Sequence, residues 1–180
     1  MRTLRLASMI LVVSLLLAGC AHSAAPVNVT DHQAETYGGK HGTDALLLTC
    51  MDYRLTDDVE RYMSGRGMRD QYDQLILAGA ALGATADQRP AWNTTFWEHL
   101  DVAIQLHAIH TVIAMDHRDC GAFRVFLGED FAKDRAKETA IHTETLRTLA
   151  KQIHEKHPEL EVELLLMDLD GKVEAVREAP

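Results

Sequence analysis

Short apolar runs alternate along this chain with stretches in which apolar residues recur every three or four positions. Helical spacing predicts helices over 56–63, over 134–156 and after a capping box formed by Thr95 and Glu98. Helices that alternate with strands predict an α/β fold, with a central and mostly parallel sheet flanked by helices. The predicted strands are apolar runs of the length of buried strands, near residues 45–49, 74–78, 109–115 and 161–167.

The first twenty residues follow a different pattern, typical of an exported bacterial lipoprotein. Two arginines precede an apolar stretch too short for a comfortable membrane span, and Leu17-Ala18-Gly19-Cys20 ends that stretch like a lipoprotein cleavage site. This pattern predicts a signal peptide over 1–19 and a lipid anchor on Cys20, with the protein held on a bacterial membrane and facing the periplasm or the cell exterior. An ordinary signal peptide and an uncleaved anchor are the alternatives.

Composition and charge narrow the range of partners. Residues 20–43 have no periodicity and predict a tether, which leaves 44–180 as one ordinary domain. Without Arg2 and Arg5 of the leader, 16 of the 18 basic residues stand against 27 acidic ones, a net charge of −11 with histidine neutral. An acidic surface argues against nucleic acid and anionic lipid headgroups as partners.

The two cysteines outside the leader, Cys50 and Cys120, are the candidate chemistry. His117 lies three residues before the second of them, and two thiolates with one imidazole make a ligand set suited to zinc. A tetrahedral zinc with three protein ligands keeps its fourth position open for water or substrate. The residue types therefore indicate a catalytic metal rather than a structural one.

The positions of these residues support the same interpretation. Cys50, Asp52 and Arg54 follow the first apolar run at alternate positions, so they share one side if the extended conformation continues. The histidine and the second cysteine follow the third run, on a turn closed by Gly121. Both groups fall at the ends of predicted strands, which is where open α/β sheets bind ligands.

A disulfide between the two cysteines is the rival interpretation, because export to an oxidising compartment favours disulfides. The neighbouring residues favour zinc. A disulfide has no use for His117 three positions before one cysteine, or for Asp52 and Arg54 after the other. A zinc-free, oxidised form of the same protein is a further alternative.

Two motifs in this order resemble the zinc site of the β-class carbonic anhydrases, namely Cys50-Met51-Asp52-Tyr53-Arg54 and His117-Arg118-Asp119-Cys120-Gly121. The likeness extends over residues 44–176. It implies the β-carbonic anhydrase fold, one Zn²⁺ per chain held by the two cysteines and the histidine, and a homodimer or larger homo-oligomer. It also implies reversible hydration of carbon dioxide to bicarbonate by a zinc-bound hydroxide.

Asp52 and Arg54 are the expected catalytic residues. Paired with Arg54, the Asp52 carboxylate stays ionised and orients the hydroxide by accepting its hydrogen bond, whereas the resemblance also implies a state in which Asp52 is the fourth zinc ligand. Gly121 is expected to allow a sharp turn close to the metal. Ala78 and Gly79 are expected to line a narrow apolar pocket for a small linear substrate, although core packing explains their size equally well.

Two positions depart from the family pattern. An Arg-Asn pair usual before the small-residue stretch is absent from Leu75-Ile76-Leu77-Ala78, and Asp116 replaces the glycine usual before the ligand histidine. Two other functions therefore stay open. One is hydrolysis of a carbon dioxide analogue, carbon disulfide or carbonyl sulfide, and the other is a non-catalytic zinc-binding or disulfide-stabilised lipoprotein.

Overall fold

A five-stranded sheet forms the centre of the structure, a computed structural model that describes residues 42–178. The predicted signal peptide, the predicted lipidation site Cys20 and almost all of the predicted tether lie outside the described residues. The order of the strands is β2-β1-β3-β4-β5, with β5 antiparallel to β4 and all other neighbours parallel, which confirms the predicted sheet. The strands are β1 (Ala45–Thr49), β2 (Tyr72–Ile76), β3 (Thr111–His117), β4 (Glu161–Met167) and β5 (Val173–Val176).

Helices connect and flank these strands. They are α1 (Thr56–Gly65), α2 (Ala81–Thr85), α3 (Pro90–His107), α4 (Gly121–Leu127) and α5 (Arg135–Lys156). The predicted helix over 134–156 is confirmed, and the Asp134 side chain caps it by accepting from the backbone N–H groups of Ala136 and Lys137. Within residues 42–178, no helix has the length and apolar character needed to span a bilayer.

The predicted capping box at Thr95 and Glu98 is wrong. Helix α3 begins earlier, at Pro90, because the fixed φ and missing N–H of proline suit the first turn of a helix. Thr95 therefore lies inside the helix, where its hydroxyl donates to the carbonyl of Ala91 one turn back, at 2.8 Å.

Two strands are displaced by two residues from their predicted positions. Strand β2 ends at Ile76 rather than at residue 78, because the chain turns away at Gly79 with a φ of 80°. Strand β3 continues past residue 115, so the predicted ligand His117 is the last residue of its strand.

Both faces of the sheet are covered, which explains why its central strands are continuous apolar runs. Side chains alternate along β1, so that Leu46 and Leu48 pack in a cluster with residues of α2, α3 and α5. Ala45 and Leu47 point the other way, into a second cluster with residues of α1. The core therefore lies in two layers, one on each side of the sheet.

Strands β1 and β3 lie side by side in parallel register, with Thr49 opposite Met115. Parallel neighbours end at the same edge of a sheet, so the residues that follow them are brought together. Cys50 comes directly after β1, and His117 closes β3. The register of these two strands thus positions the site described next.

Candidate metal centre

Cys50, His117 and Cys120 meet at this edge of the sheet. One ligand atom from each lies within 4.8 Å of the other two, and in residues 42–178 no other group of three histidine, cysteine or acidic side chains is so arranged. Both cysteines are free thiols, with 3.9 Å between their Sγ atoms, well beyond the length of a disulfide bond. The structure therefore contains an open trio of ligand atoms rather than a disulfide.

The His117 ring is oriented as a metal-binding histidine requires. Its Nδ1 lies 2.8 Å from the carbonyl oxygen of Arg118, and since a carbonyl only accepts, Nδ1 carries the proton. In the neutral ring Nε2 then carries a free lone pair, and this atom is buried without a hydrogen-bond partner. A buried nitrogen without a partner is costly unless something binds it, so this atom fits a metal ion.

The charge on the two thiols points to a cation. Hydrogen bonding from Cys120, with smaller contributions from His117 and from the Gly79 N–H at 3.2 Å, lowers the pKa of Cys50 to about 4 against the effect of burial. The Cys50 thiolate and burial raise the pKa of Cys120. One negative charge is therefore shared by two sulfurs, and a divalent cation would stabilise the second thiolate. Burial lowers the pKa of His117, but the Cys50 thiolate, the Arg118 carbonyl and the Asp52 carboxylate together raise it above its ordinary value.

Asp52 and Arg54 form a two-pronged ion pair beside the ligands. Arg54 Nε and Nη2 donate to the two carboxylate oxygens at 2.9 and 2.8 Å, and its backbone N–H donates at 3.1 Å. The hydrogen bonds from Arg54 lower the pKa of Asp52 to about 2. Asp52 Oδ2 lies 3.8 Å from Nε2 of His117, so an ionised carboxylate borders the ligand atoms.

The expected extended run through Cys50, Asp52 and Arg54 is only partly right. The extended backbone stops at Asp52, whose side chain caps a 3₁₀ turn over Tyr53–Leu55. Arg54 meets the carboxylate because the turn folds it back, not because side chains alternate along a strand. A short aspartate that bonds its own backbone two residues on favours such a turn.

The ligand turn before Cys120 is built on Asp119 rather than on Gly121. Asp119 has a φ of 54°, whereas Gly121 is the ordinary first residue of α4 and a side chain there would meet open space. The expected role of Gly121 in a sharp turn is therefore wrong. Arg54 donates to the Asp119 carboxylate at 2.7 Å and to its carbonyl at 3.0 Å, and the Asp119 N–H donates to Glu138 at 2.6 Å.

Arg118 holds this turn from behind. Its side chain is 6% exposed and reaches carboxylates of three separate elements: Glu138 of α5 at 3.4 Å, Asp168 after β4 at 2.7 Å and Glu174 of β5 at 3.2 Å. It also donates to the Thr139 hydroxyl at 2.9 Å. The backbone carbonyl that orients His117 thus belongs to a residue fixed by long-range ion pairs.

Asp116, the departure from the family pattern, is fully enclosed. It is 1% exposed, and its carboxylate accepts from the Ala81 N–H at 3.0 Å and from His142 Nδ1 at 2.8 Å. Arg118, Glu138 and His142 were not predicted as site residues from the sequence. A signal was present, because a charged residue on each side of His117 at the end of an apolar strand needs buried partners. The partners of these two charged residues on α5 could not be predicted from the local pattern.

Two openings adjoin the site. A cavity of about 10 Å³ lies behind Cys50, Asp52 and His117, and a larger cavity of about 310 Å³ opens in front of Cys120. Neither is lined by Ala78 or Gly79. Gly79 is buried and acts through its N–H, which donates to the Cys50 thiolate. The larger cavity has walls of mixed character, formed by Asp52, Tyr53, Arg54, Asp119, Cys120, Gly121, Phe123, Arg124, Asp130, Phe131, Ala132, Glu138 and His142.

Comparisons with known proteins find similarity over most of the chain. A family model named "Putative carbonic anhydrase" matches residues 40–177. An uncharacterized protein of Rickettsia conorii is 36% identical over 135 residues, which cover 75% of this chain and 73% of that protein.

Two solved structures share the fold. One is the β-carbonic anhydrase isoform I of Trichomonas vaginalis, with 19% identity and a TM-score of 0.50 over 78% of this chain and 84% of that one. The other is a carbonic anhydrase from Glaciozyma antarctica, with 18% identity and a TM-score of 0.50 over 77% of this chain and 83% of that one.

Proposed function

The chain belongs to the β-carbonic anhydrase-like family, and from that premise we propose that it catalyses the reversible hydration of carbon dioxide to bicarbonate. The observation that carries the proposal is the trio of Cys50, His117 and Cys120, with ligand atoms within 4.8 Å, beside the Asp52–Arg54 pair. Three protein ligands leave a tetrahedral metal one open position, which suits a catalytic site. An ionised carboxylate next to them, held by a guanidinium, is what a hydration site needs in addition.

Zinc is the metal that fits these donors, since two thiolates and one neutral imidazole leave a tetrahedral ion one open position. The bare Nε2 of His117 and the shared charge of the two thiols support the assignment. Bound zinc supplies a Lewis acid that lowers the pKa of water toward neutrality and so provides a nucleophile.

Asp52 and Arg54 have separate roles in the proposed hydration reaction. With a pKa of about 2, Asp52 is ionised throughout the neutral range and can only accept hydrogen bonds. It accepts from the attacking oxygen and thereby directs that oxygen's lone pair toward the carbon of carbon dioxide. Arg54 keeps the carboxylate charged and pointing in one direction. If the pair is broken, Asp52 is free to become a fourth ligand instead.

Stopped-flow hydration of carbon dioxide by the full chain, with zinc content determined on the same sample, tests the proposal. We expect one zinc per chain and a hydration rate that disappears in Cys120→Ser and falls steeply in Asp52→Asn. One zinc per chain without any hydration from neutral to alkaline pH would overturn the proposal. Carbon disulfide and carbonyl sulfide, tried on that sample, would then separate an altered substrate from a non-catalytic zinc protein.

We also propose that the protein is an exported lipoprotein with its anchor on Cys20 and a tether up to residue 43. The support is the pattern of the first twenty residues, which lie outside the described part of the chain. Mass spectrometry of the mature N-terminal peptide should find a lipid-modified cysteine at position 20. An unmodified peptide that begins elsewhere would reject the anchor.

A homo-oligomer is proposed on the family resemblance. Strand β2 is at the edge of the sheet, with Ile76 51% exposed, and Met51 and Tyr53 beside the metal centre are 68% and 86% exposed. Exposed apolar side chains that form a contiguous patch mark a surface for contact with another protein chain. Light scattering on the purified protein should give a mass of two chains or more.

A further inference from the structure

His142 lies in the middle of α5 and is almost completely enclosed, with 1% of its surface exposed. Its Nδ1 is 2.8 Å from Asp116 Oδ2, and we assign Nδ1 as the donor to this carboxylate. The second oxygen of Asp116 accepts from the Ala81 N–H at 3.0 Å. The Phe123 ring packs against the imidazole, with 4.0 Å between the ring centroids. The ring is therefore fixed in position and in tautomer.

This enclosed ring forms part of the wall of the cavity of about 310 Å³ in front of Cys120. Since Nδ1 is occupied by Asp116, Nε2 is the nitrogen that His142 can offer to water in that cavity. The charged groups that share the wall are Asp52, Arg54, Asp119, Arg124, Asp130 and Glu138.

The proposed reaction needs a proton acceptor. Each hydration of carbon dioxide consumes one water and yields one bicarbonate and one proton, which must leave the site before the next turnover. An acceptor works best when its pKa lies near the operating pH. Arg54 holds the pKa of Asp52 at about 2, and Lys133 lowers the pKa of Asp130. Both carboxylates are too weakly basic for the task.

The other two carboxylates on the wall are committed elsewhere. Asp119 is bound by Arg54, and Glu138 accepts from Arg118 and from the Asp119 N–H. Histidine is the side chain that most often accepts and releases protons in catalysis near neutral pH. Among the residues of 42–178 that line this cavity, His142 is the single imidazole.

We propose that His142 is the proton acceptor of this site, taking the proton released by hydration onto Nε2 through cavity water and passing it to buffer. The inference rests on the proposed function. Asp116 is a positioning residue, which keeps Nδ1–H directed inward and stabilises the imidazolium that forms. A buried aspartate thus orients a histidine whose other nitrogen transfers the proton. The aspartate and histidine of a catalytic triad are arranged in the same way.

Steady-state hydration by the full chain carrying His142→Asn tests the proposal, because the asparagine amide can replace Nδ1–H toward Asp116 but cannot take a proton. We expect kcat at low buffer concentration to fall about tenfold to a hundredfold while kcat/KM stays within twofold. Imidazole added to the assay should restore kcat. His99→Asn, on the exposed face of α3, is the matched control and should change neither parameter.

The outcomes separate this inference from the proposed function. Wild-type hydration with an unchanged kcat in His142→Asn would overturn the role of His142 alone. A loss of kcat that imidazole cannot restore would also overturn it, as damage to the fold. A wild-type protein without hydration overturns the proposed function and this role with it. Independently of activity, nitrogen-15 spectra of the wild-type histidines should show His142 with Nδ1 protonated and Nε2 bare at pH 8, and the opposite tautomer would reject the proposal.

Discussion

The two halves of the candidate metal centre are supported in different ways. In the half that follows β1, Asp52 and Arg54 hold each other within a five-residue segment, through contacts two residues apart in sequence. In the half that ends β3, Arg118 fixes the ligand turn through carboxylates 20, 50 and 56 residues away. The first half is partly open to solvent, and the second is buried. Loss of the supporting arginine in the first half should therefore impair catalysis and spare the fold, whereas loss of the supporting arginine in the second half should impair the fold.

Removing a ligand from the β3 half should have the largest effect on activity. Cys120→Ser should lose bound zinc and at least about a thousandfold in hydration rate, which corresponds to roughly 4 kcal/mol of activation free energy. Zinc content and stopped-flow rate, measured on one preparation, check it. Cys20→Ser makes the same substitution at the predicted lipidation site and should keep zinc and rate. A Cys120→Ser protein with full zinc and full activity would remove this cysteine from the site.

Substitution of the buried Arg118 is the sharpest test of the difference between the two halves. Arg118→Met leaves the Glu138, Asp168 and Glu174 carboxylates without their common partner, so the free energy of unfolding should fall by about 3–5 kcal/mol. Arg135→Met is the matched control, since Arg135 pairs with two of the same carboxylates but is 62% exposed. It should cost less than about 1 kcal/mol. Urea titrations measure the free energy of unfolding of both variants. Equal losses would contradict the expectation that the buried Arg118 stabilises the fold more than the exposed Arg135.

Arg54→Met tests the β1 half. Without its partner, Asp52 loses orientation, and we expect kcat/KM to fall about tenfold to a hundredfold, or roughly 1.4–2.7 kcal/mol, with zinc retained. The stability effect should be at most about 1 kcal/mol, because the pair is partly exposed.

The effect of Arg54→Met on stability should depend on pH. The folded-state pKa of Asp52, about 2, lies below its ordinary value of 3.8, so the stabilisation is fully present above about pH 4 and is lost as pH falls toward 2. The difference between wild type and variant in acid-unfolding curves should close over that window. A difference that widens toward pH 2 would contradict the lowered pKa.

The smallest effect is expected from a substitution at Gly79, whose backbone N–H donates to the Cys50 thiolate. Gly79→Ala keeps the N–H but forces a side chain onto a φ of 80° and to 3.0 Å from the Ala122 Cβ, so it should cost about 1–2 kcal/mol of stability. Gly121→Ala is the control, because a Cβ there meets open space, and it should be neutral or slightly stabilising. Thermal unfolding of the two variants distinguishes them, and equal midpoints would show that Gly79 tolerates a side chain.

The same contrast explains which parts of the site could be predicted from the sequence and which could not. The ligand trio and the Asp52–Arg54 pair were predicted because their residue types are distinctive, close in sequence and placed at strand ends. The contacts of Arg118 and His142 could not be predicted in this way, since they depend on how α5 packs on the sheet. Apolar periodicity located α5 correctly, but it gives no information about which of its polar residues face inward.

Two predictions from short sequence patterns failed, one because of a neighbouring residue and one because of residues distant in sequence. The threonine and glutamate of the expected capping box lie within a helix that Pro90 had already begun. Gly121 was expected to take the sharp turn, yet Asp119 takes it, because Arg54 and Glu138 compensate a backbone conformation that aspartate otherwise rarely adopts. A pattern of residue types does not report such compensation from distant parts of the chain.

The parallel register of β1 and β3, with Thr49 opposite Met115, makes the site a check on correct folding. A slip of one residue between these strands would turn either Cys50 or His117 to the opposite face of the sheet, so a misaligned chain has no complete ligand set. If the site binds zinc as proposed, binding would stabilise only chains whose two strands are correctly aligned. Zinc content would then report the fraction of molecules in which β1 and β3 have their native alignment.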